Sequence, residues 1–263
     1  MGFMSVLRTE FAKLRRSKVT WATFAAQLFM GLVAGLFVWI LGNPGMAERL
    51  GLIGQKVNFT TRGGAGDWPT LLALLVEMEG MGASIFCSII VAYVFGREYA
   101  EGTAKNMLAL GLPRRRFVAA KLVVAAAWSY ALVLVLMAEG WLVGAVLGLP
   151  LFDPELLRRE YSMILLLASL DFLLAPVAAL IAVASGGYLA PLGYTIFTLI
   201  VGMVFTATNW ARWIPWSIVP LYSGVAGPRA EEVGSGSVAL LVLIFAAGAG
   251  ATVLYLERAD NRQ

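Results

Sequence analysis

Asp171 is the residue of this chain best placed to do unusual chemistry, because it lies near the middle of a long apolar run. Counted at about 1.5 Å per helical residue, it lies roughly 15 Å from the outer end of that run. A carboxylate in apolar surroundings is costly, so it faces a protein interior or a wet cavity, or it is protonated. Two interpretations follow: a protonated Asp171 that bonds the backbone or a neighbouring helix, and a carboxyl that lines a path through the protein.

Three glutamates, Glu77, Glu79 and Glu139, also lie within apolar runs. Counted at about 1.5 Å per helical residue from the end of each run nearer the charged segment 95–121, they lie about 25–30 Å away. No Lys or Arg is available in the sequence at that depth to pair with them. We expect them to ring an outer vestibule, and an acidic mouth favours a cationic or amphipathic cargo. The alternative is simple hydration at the level of the lipid head groups.

Several kinds of chemistry are excluded by residue types that the sequence lacks. It contains no histidine and one cysteine, Cys87, so it cannot supply histidine-ligated haem, a Ser-His-Asp triad or an intramolecular disulfide. It also has no Gly-Lys-Ser/Thr sequence to cradle nucleotide phosphates. We therefore predict no catalytic residue, no metal site and no bound cofactor. Any energy from ATP must enter through another subunit.

The strongest charged segment, 95–121, reads FGREYAEGTAKNMLALGLPRRRFVAAK and lies between two apolar runs. It begins with Glu98 and Glu101, continues through an amphipathic run at 105–112, and stops at Pro113 before three arginines. This order predicts a short helix on the membrane surface that a partner can grip. The alternative is a solvated loop whose charges only fix the topology.

The composition identifies the solvent of the remaining elements. The chain has 263 residues, of which 60% are apolar and 14% charged, too apolar for a soluble domain of this size. The runs are unbroken and not alternating, which favours helices over a strand barrel. We predict an all-α integral membrane protein, a single domain over 1–263, with six transmembrane helices. The predicted spans are about 19–41, 70–95, 117–148, 161–184, 188–207 and 237–256.

Two further segments flank these spans. Ahead of the first span, Phe3, Leu7, Phe11 and Leu14 recur at helical spacing, which predicts an interfacial helix. The last outer connection, 208–236, carries tryptophans at 210, 213 and 216. We interpret them as an interfacial belt, with substrate gating as the alternative.

The distribution of Lys and Arg predicts the orientation. With both termini cytoplasmic, the inner segments carry thirteen of these residues: Arg8, Lys13, Arg15, Arg16, Lys18, Arg97, Lys105, Arg114, Arg115, Arg116, Lys121, Arg258 and Arg262. The outer connections carry the other seven. The positive-inside rule therefore favours a multi-pass protein of the cell membrane with both termini in the cytoplasm. The net charge of +4 is explained by membrane lipid as a partner, and we expect no nucleic acid.

Two of these segments also carry a family resemblance. EFAKLRRSK before the first span and EYAEGTAKNMLALGLPRRRFVAAK after the second resemble the ABC type-2 exporter permeases, most closely the bacitracin and lantibiotic immunity group. Many relatives place a small residue between the proline and the arginine, whereas here Arg114 follows Pro113 directly. The resemblance implies a second permease chain, identical or related, and two cytoplasmic ABC ATPase subunits that bind ATP and Mg²⁺.

The resemblance also implies a role for the charged segment, namely coupling to the ATPase. The residues expected to couple are Glu98, Tyr99, Glu101, Gly102, Thr103, Lys105, Asn106, Pro113, Arg114, Arg115 and Arg116. The expected function is ATP-driven export of a hydrophobic or amphipathic substrate, for instance an antimicrobial peptide, with no enzymatic activity in this chain. The alternative is a non-transport membrane subunit of a larger complex.

Overall fold

The structure is a computed structural model that describes residues 2–49, 65–103, 113–225, 227 and 229–260. The described residues form ten α-helices: α1 (Phe3–Arg15), α2 (Lys18–Leu41), α3 (Pro44–Arg49), α4 (Trp68–Ala100), α5 (Arg114–Val146), α6 (Pro154–Phe172), α7 (Ala175–Ser185), α8 (Leu189–Thr206), α9 (Pro215–Ser223) and α10 (Ser235–Asp260). Two short 3₁₀ helices, Ala211–Trp213 and Ala230–Glu232, flank α9. The predicted coupling helix at 105–112 lies outside the described residues.

Three of the described long helices, α2, α4 and α6, begin where a side chain accepts a hydrogen bond from a free backbone N–H group of the first turn. The Ser17 hydroxyl accepts a hydrogen bond from Val19 N at the start of α2, and the Asp67 carboxylate accepts one from Thr70 N at the start of α4. The Asp153 carboxylate accepts a hydrogen bond from Glu155 N at the start of α6. These caps fix the ends of apolar runs whose own backbone bonds are internal, as a membrane environment requires.

Within the described residues, five helical segments are long and apolar enough to span a membrane: Lys18–Leu41, Arg114–Val146, Pro154–Ser185, Leu189–Thr206 and Ser235–Arg258. Trp68–Gly82 and Ser84–Ala100, the two halves of α4, meet at a bend of 42° and together form a sixth candidate. The prediction of an all-α membrane protein is therefore confirmed. The predicted bounds of the six spans and of the domain, and the interfacial role of α1, stay predictions.

The fourth predicted span, 161–184, differs from the structure in two ways. Its helix already begins at Pro154, where a charged first turn is exposed, and it is interrupted at Leu173 and Leu174 before α7. Pro176 lies in the first turn of α7, where its missing N–H leaves no bond unmade. The break follows Asp171 directly, so this carboxyl sits at the end of a half-helix within the candidate span.

The connections assemble at two ends of the helix bundle. Trp68 N donates a hydrogen bond to Pro150 O at 3.2 Å, and Leu149 and Val233 pack against the same buried apolar cluster as Trp68. The start of α4, the connection after α5 and the connection before α10 therefore lie at one end. Helix α1, the end of α4 and the start of α5 lie at the other end. We call the end with α1 the inner end and the opposite one the outer end.

Helix α9 is a buried helix inside the last outer connection. Its Ser217, Ile218 and Leu221 are completely buried, and Ser223 packs against Gly80 of α4. Gly80 lies twelve residues into α4, about 18 Å along the helix. The 208–236 connection therefore runs down into the bundle, which corrects its interpretation as only an interfacial belt.

Candidate functional site

Four charged side chains form a buried cluster at the inner end of the bundle. We name this the ion cluster: Glu10 and Lys13 from α1, Glu98 from α4 and Lys121 from α5. Lys121 Nζ lies 2.7 Å from Glu98 Oε2 and 3.5 Å from Glu10 Oε2. Lys13 Nζ lies 2.6 Å from Glu10 Oε1 and 3.0 Å from Glu98 Oε1. Each ammonium thus contacts both carboxylates, and the two charges of each sign balance.

The surroundings of Lys121 complete its coordination. Its side chain is 1% exposed, and its ammonium also donates to the carbonyl oxygen of Val94. The rings of Phe95 and Phe117 lie 5.6 Å and 5.0 Å from the ammonium, within cation–π range. Leaving such a charge without a partner would be very costly, so the cluster holds α1, α4 and α5 together at one point.

Lys13 closes the cluster on its more open side. Burial alone would lower the pKa of Lys13, but the Glu98 carboxylate and the Glu10 side chain outweigh it and raise that pKa above its ordinary value. The group therefore stays charged at neutral pH, and its contribution to stability is lost only as the pH rises through the raised pKa. Helix α1 is thereby held by an ion pair as well as by its apolar face.

The predicted coupling residues differ in exposure, because some are buried in the bundle and others face its surroundings. Glu98 is buried, and both its carboxylate oxygens already bind lysines, so direct contact of this side chain with an ATPase is not favoured. Glu101 is exposed and pairs with Arg97 at 2.9 Å. Gly102 has φ of +68° and Thr103 N donates to Glu98 O, which ends α4 in a tight turn.

The other predicted coupling residues keep their place beside this turn. Pro113, Arg115 and Arg116 are exposed at the start of α5, while Tyr99 and Arg114 are partly buried. Lys105 and Asn106 lie outside the described residues. The coupling role of the segment stays a prediction, and the exposed residues that can carry it are those on either side of 104–112.

A second group of polar side chains is buried between the helices further from the inner end. Glu79 of α4 and Asp171 of α6 line the same small internal cavity of about 20 Å³, together with Gln27 and Ser129. Cys87 lines the same cavity. The carboxyl groups of Glu79 and Asp171 are close enough to interact electrostatically. We name Glu79 and Asp171 the acid pair.

The acid pair corrects the prediction of an outer ring of glutamates. Glu79 lies eleven residues from the outer end of α4, about 17 Å along the helix, which is the depth predicted for Asp171. Glu139 instead packs against α2 at Gly31, where any added Cβ would overlap its carboxylate. Glu77 is half-buried. Counting from the inner end failed because α4 has 33 residues and is bent, so it extends well beyond a membrane's thickness.

A larger cavity of about 410 Å³ lies beside the acid pair, and Asp171 lines both cavities. Its wall contains four methionines, Met30, Met78, Met81 and Met203. Five of the described helices contribute to it, α2, α4, α6, α8 and α9, together with Leu174 from the break after α6. This volume suits a small hydrophobic molecule, and methionine side chains adapt readily to different ligand shapes.

Helix α9 forms one side of this cavity. Trp216, Val219 and Pro220 line it, and the Trp216 indole donates a hydrogen bond to Tyr194 Oη of α8 at 3.0 Å. Trp210 and Trp213 remain 67% and 49% exposed, so the belt interpretation suits these two and not Trp216. The three tryptophans therefore have different environments despite their regular spacing.

Sequence reasoning missed three of the four members of the ion cluster. Lys121 and Lys13 counted only towards the predicted topology, and Glu10 entered no prediction. Glu10 carried a usable signal, since it lies on the face formed by Phe3, Leu7 and Leu14. The buried residues of α1 are Val6 and Glu10, whereas Phe11, predicted on the apolar stripe, is 38% exposed. A charged residue on an apolar helical stripe indicates a buried partner.

Comparison with known proteins identifies similar sequences. A sequence model of the family described as ABC-2 family transporter protein matches residues 6–202, which include the ion cluster and the acid pair. The bacitracin transport permease protein BCRB of Bacillus licheniformis is 26% identical over 174 residues, covering 65% of this chain and 82% of that relative. No solved structure matches this chain.

Proposed function

This chain belongs to the ABC-2 family of transporter proteins, and we propose that it is the membrane-spanning subunit of an ATP-driven exporter. Family membership and the apolar helices make it a multi-pass transport permease subunit, a class that associates with ABC ATPase partners. The proposal adds the direction of transport, outwards, and a hydrophobic or amphipathic cargo. The bacitracin permease relative favours a peptide antibiotic as that cargo.

The proposed assembly has two permease chains, identical or related, above two ATPase subunits. ATP and Mg²⁺ bind in the ATPase subunits, and both termini of this chain face them in the cytoplasm. In this arrangement the exposed residues Glu101, Pro113, Arg115 and Arg116 lie where an ATPase can reach them. The thirteen Lys and Arg of the inner segments support this orientation.

The ion cluster is the observation that carries the coupling part of the proposal. It joins α1, α4 and α5 beside the end of α4 and the start of α5, which the connection 101–113 links in the sequence. A buried, fully paired cluster resists local yielding, because separating any member leaves a charge without a partner. A force that an ATPase applies to the connection is therefore passed to α4 and α5 as a joint movement.

The test uses the exposed acid next to the connection. Glu101→Lys reverses a charge that is 49% exposed, so it should lower the recovery of ATPase with the permease and the ATP turnover of the complex without altering thermal stability. Glu257→Lys, at the exposed inner end of α10, is the matched control for the same charge change. Both are purified in mild detergent, and bound soluble chains are identified by mass spectrometry.

Two outcomes contradict the proposal at different levels. Equal ATPase recovery and turnover in Glu101→Lys and the parent would remove Glu101 from the coupling contact. Failure to recover any ATPase, together with no ATP-driven movement of labelled bacitracin in proteoliposomes, would favour the non-transport membrane subunit instead.

A further inference from the structure

The larger cavity has a mostly apolar wall and one acidic lining residue among those that the structure describes. Asp171, which is 4% exposed, is the only ionisable side chain among its described lining residues. Glu79 lies just behind it in the small cavity. Among the described residues, no Lys or Arg forms an ion pair with either carboxyl. The two acids thus create a site in which a positively charged ligand has no competing Lys or Arg within the part of the chain that the structure describes.

The cavity is also open on one side. Met81, Ile85 and Met203 line it and are 42%, 38% and 45% exposed. These residues belong to α4 and α8, two candidate spans, so the opening faces the apolar phase or a neighbouring permease. A molecule that partitions into lipid can therefore enter from the side without crossing polar surroundings.

We propose that this cavity binds hydrophobic organic cations, with the cationic centre at the Asp171 carboxyl and the apolar body against the methionine wall. Charge complementarity argues for the cation, because its approach compensates the cost of ionising a buried carboxyl. The Trp216 ring in the wall adds a surface that attracts cations. The proposal deepens the proposed function, on which it rests, by assigning the cavity as a cargo site.

Tetraphenylphosphonium is a suitable probe, since it is a permanent cation with an apolar surface. Binding of the radiolabelled probe is measured by equilibrium dialysis with the full chain in phosphatidylcholine nanodiscs, and empty nanodiscs give the background. We expect saturable binding that tetraphenylborate, an anion of similar shape, does not compete away. Asp171→Asn should weaken the affinity at least about tenfold.

Two further variants separate the cavity from general effects. Glu155→Gln removes an equal charge from an exposed position at the outer end and should bind the probe like the parent. Met203→Trp keeps both acids and fills the cavity from its exposed side, so it should also abolish saturable binding. This second variant tests the proposal even if Asp171→Asn does not fold.

Equal binding of the probe by the parent, Asp171→Asn and Met203→Trp would overturn the proposal. Competition by tetraphenylborate or by the lipid itself would overturn it too, because the cavity would then be a hydrophobic slot without charge preference. Saturable binding without ATP-driven movement of the probe would leave the cavity assignment standing and contradict the exporter. ATP-driven transport of bacitracin without binding of the probe would support the exporter and contradict the assignment of the cavity as a cation site.

Discussion

At the scale of single residues, the ion cluster shows how a membrane protein keeps lysine inside an apolar bundle. Lys121 and Lys13 share Glu98 and Glu10, so no member depends on one partner alone. Such a cluster contributes little net stability compared with well-packed apolar side chains, but removing one member is costly. Its value lies in fixing where α1 sits relative to α4 and α5.

Lys121→Met should therefore destabilise the protein by about 3 kcal/mol, because two buried carboxylates are left with one ammonium. Unfolding by SDS in mixed micelles measures this loss. The control is Arg158→Met, which breaks the ion pair between Arg158 and Glu155. The two side chains of that pair are 73% and 71% exposed. That change should leave the free energy of unfolding as it was. Equal losses in both variants would mean that the cluster is no more important than a surface pair.

The acid pair marks the limit of residue-level prediction. Asp171 stood out in the sequence because a charge in an apolar run demands an explanation, and the structure places it beside a cavity. Its neighbour Glu79 was assigned to another level, because depth was counted from the wrong end of a bent helix. Which acids share a site depends on how helices are staggered, and no spacing within one helix contains that information.

At the scale of elements, the long helices were predictable and the short one was not. Unbroken apolar runs are long signals, and they predicted an all-α membrane protein, which the candidate spans of the structure confirm. Helix α9 has nine residues and contains Pro220, so its sequence resembles a loop. Its burial comes from contact with α4 and α8, which local sequence does not encode.

The contact between α9 and α4 depends on Gly80. A Cβ there would lie 2.2 Å from Ser223 Cβ, whereas a Cβ at Gly82 would meet only the flexible end of Met30 at 3.5 Å. Gly80→Ala should displace α9 and lower stability by about 1–3 kcal/mol, as overpacking does. Gly82→Ala should be neutral or slightly stabilising, since alanine favours a helix.

Thermal unfolding of the two purified variants checks this prediction, and transport should follow the same order because α9 lines the cavity. A Gly80→Ala variant as stable and active as Gly82→Ala would show that α9 moves away at no cost. In that case α9 would be a loosely held flap and not a packed part of the bundle.

At the scale of the whole molecule, the sides of the helix bundle expose apolar side chains where a soluble protein would expose polar ones. Trp21, Phe29, Leu32, Phe197 and Leu243 are each at least 60% exposed. They lie on α2, α8 and α10, three of the candidate spans. Patches of this kind face lipid or a partner chain, which fits a permease that pairs with a second one.

The two ends of the bundle are distinguished by their charges, and their placement across the membrane decides every statement about coupling. The connection at Leu149 and Pro150 and the segment that ends at Val233 pack with Trp68 at the outer end, so one orientation fixes all of them. In a Cys87→Ser background, Leu151→Cys and Ser235→Cys should react with an impermeant thiol reagent in intact cells. Ala12→Cys, exposed on α1, should react only after the cells are opened.

The three positions test the structure and the orientation separately. If Leu151→Cys and Ser235→Cys differ from each other, the bundle itself is wrong, because both lie in connections at the same end. If both are protected while Ala12→Cys reacts in intact cells, the bundle stands and its orientation is reversed. A reversed bundle would place the ion cluster and the segment 101–113 outside the cell, where no ATPase could act on them, and the coupling proposal would fail with it.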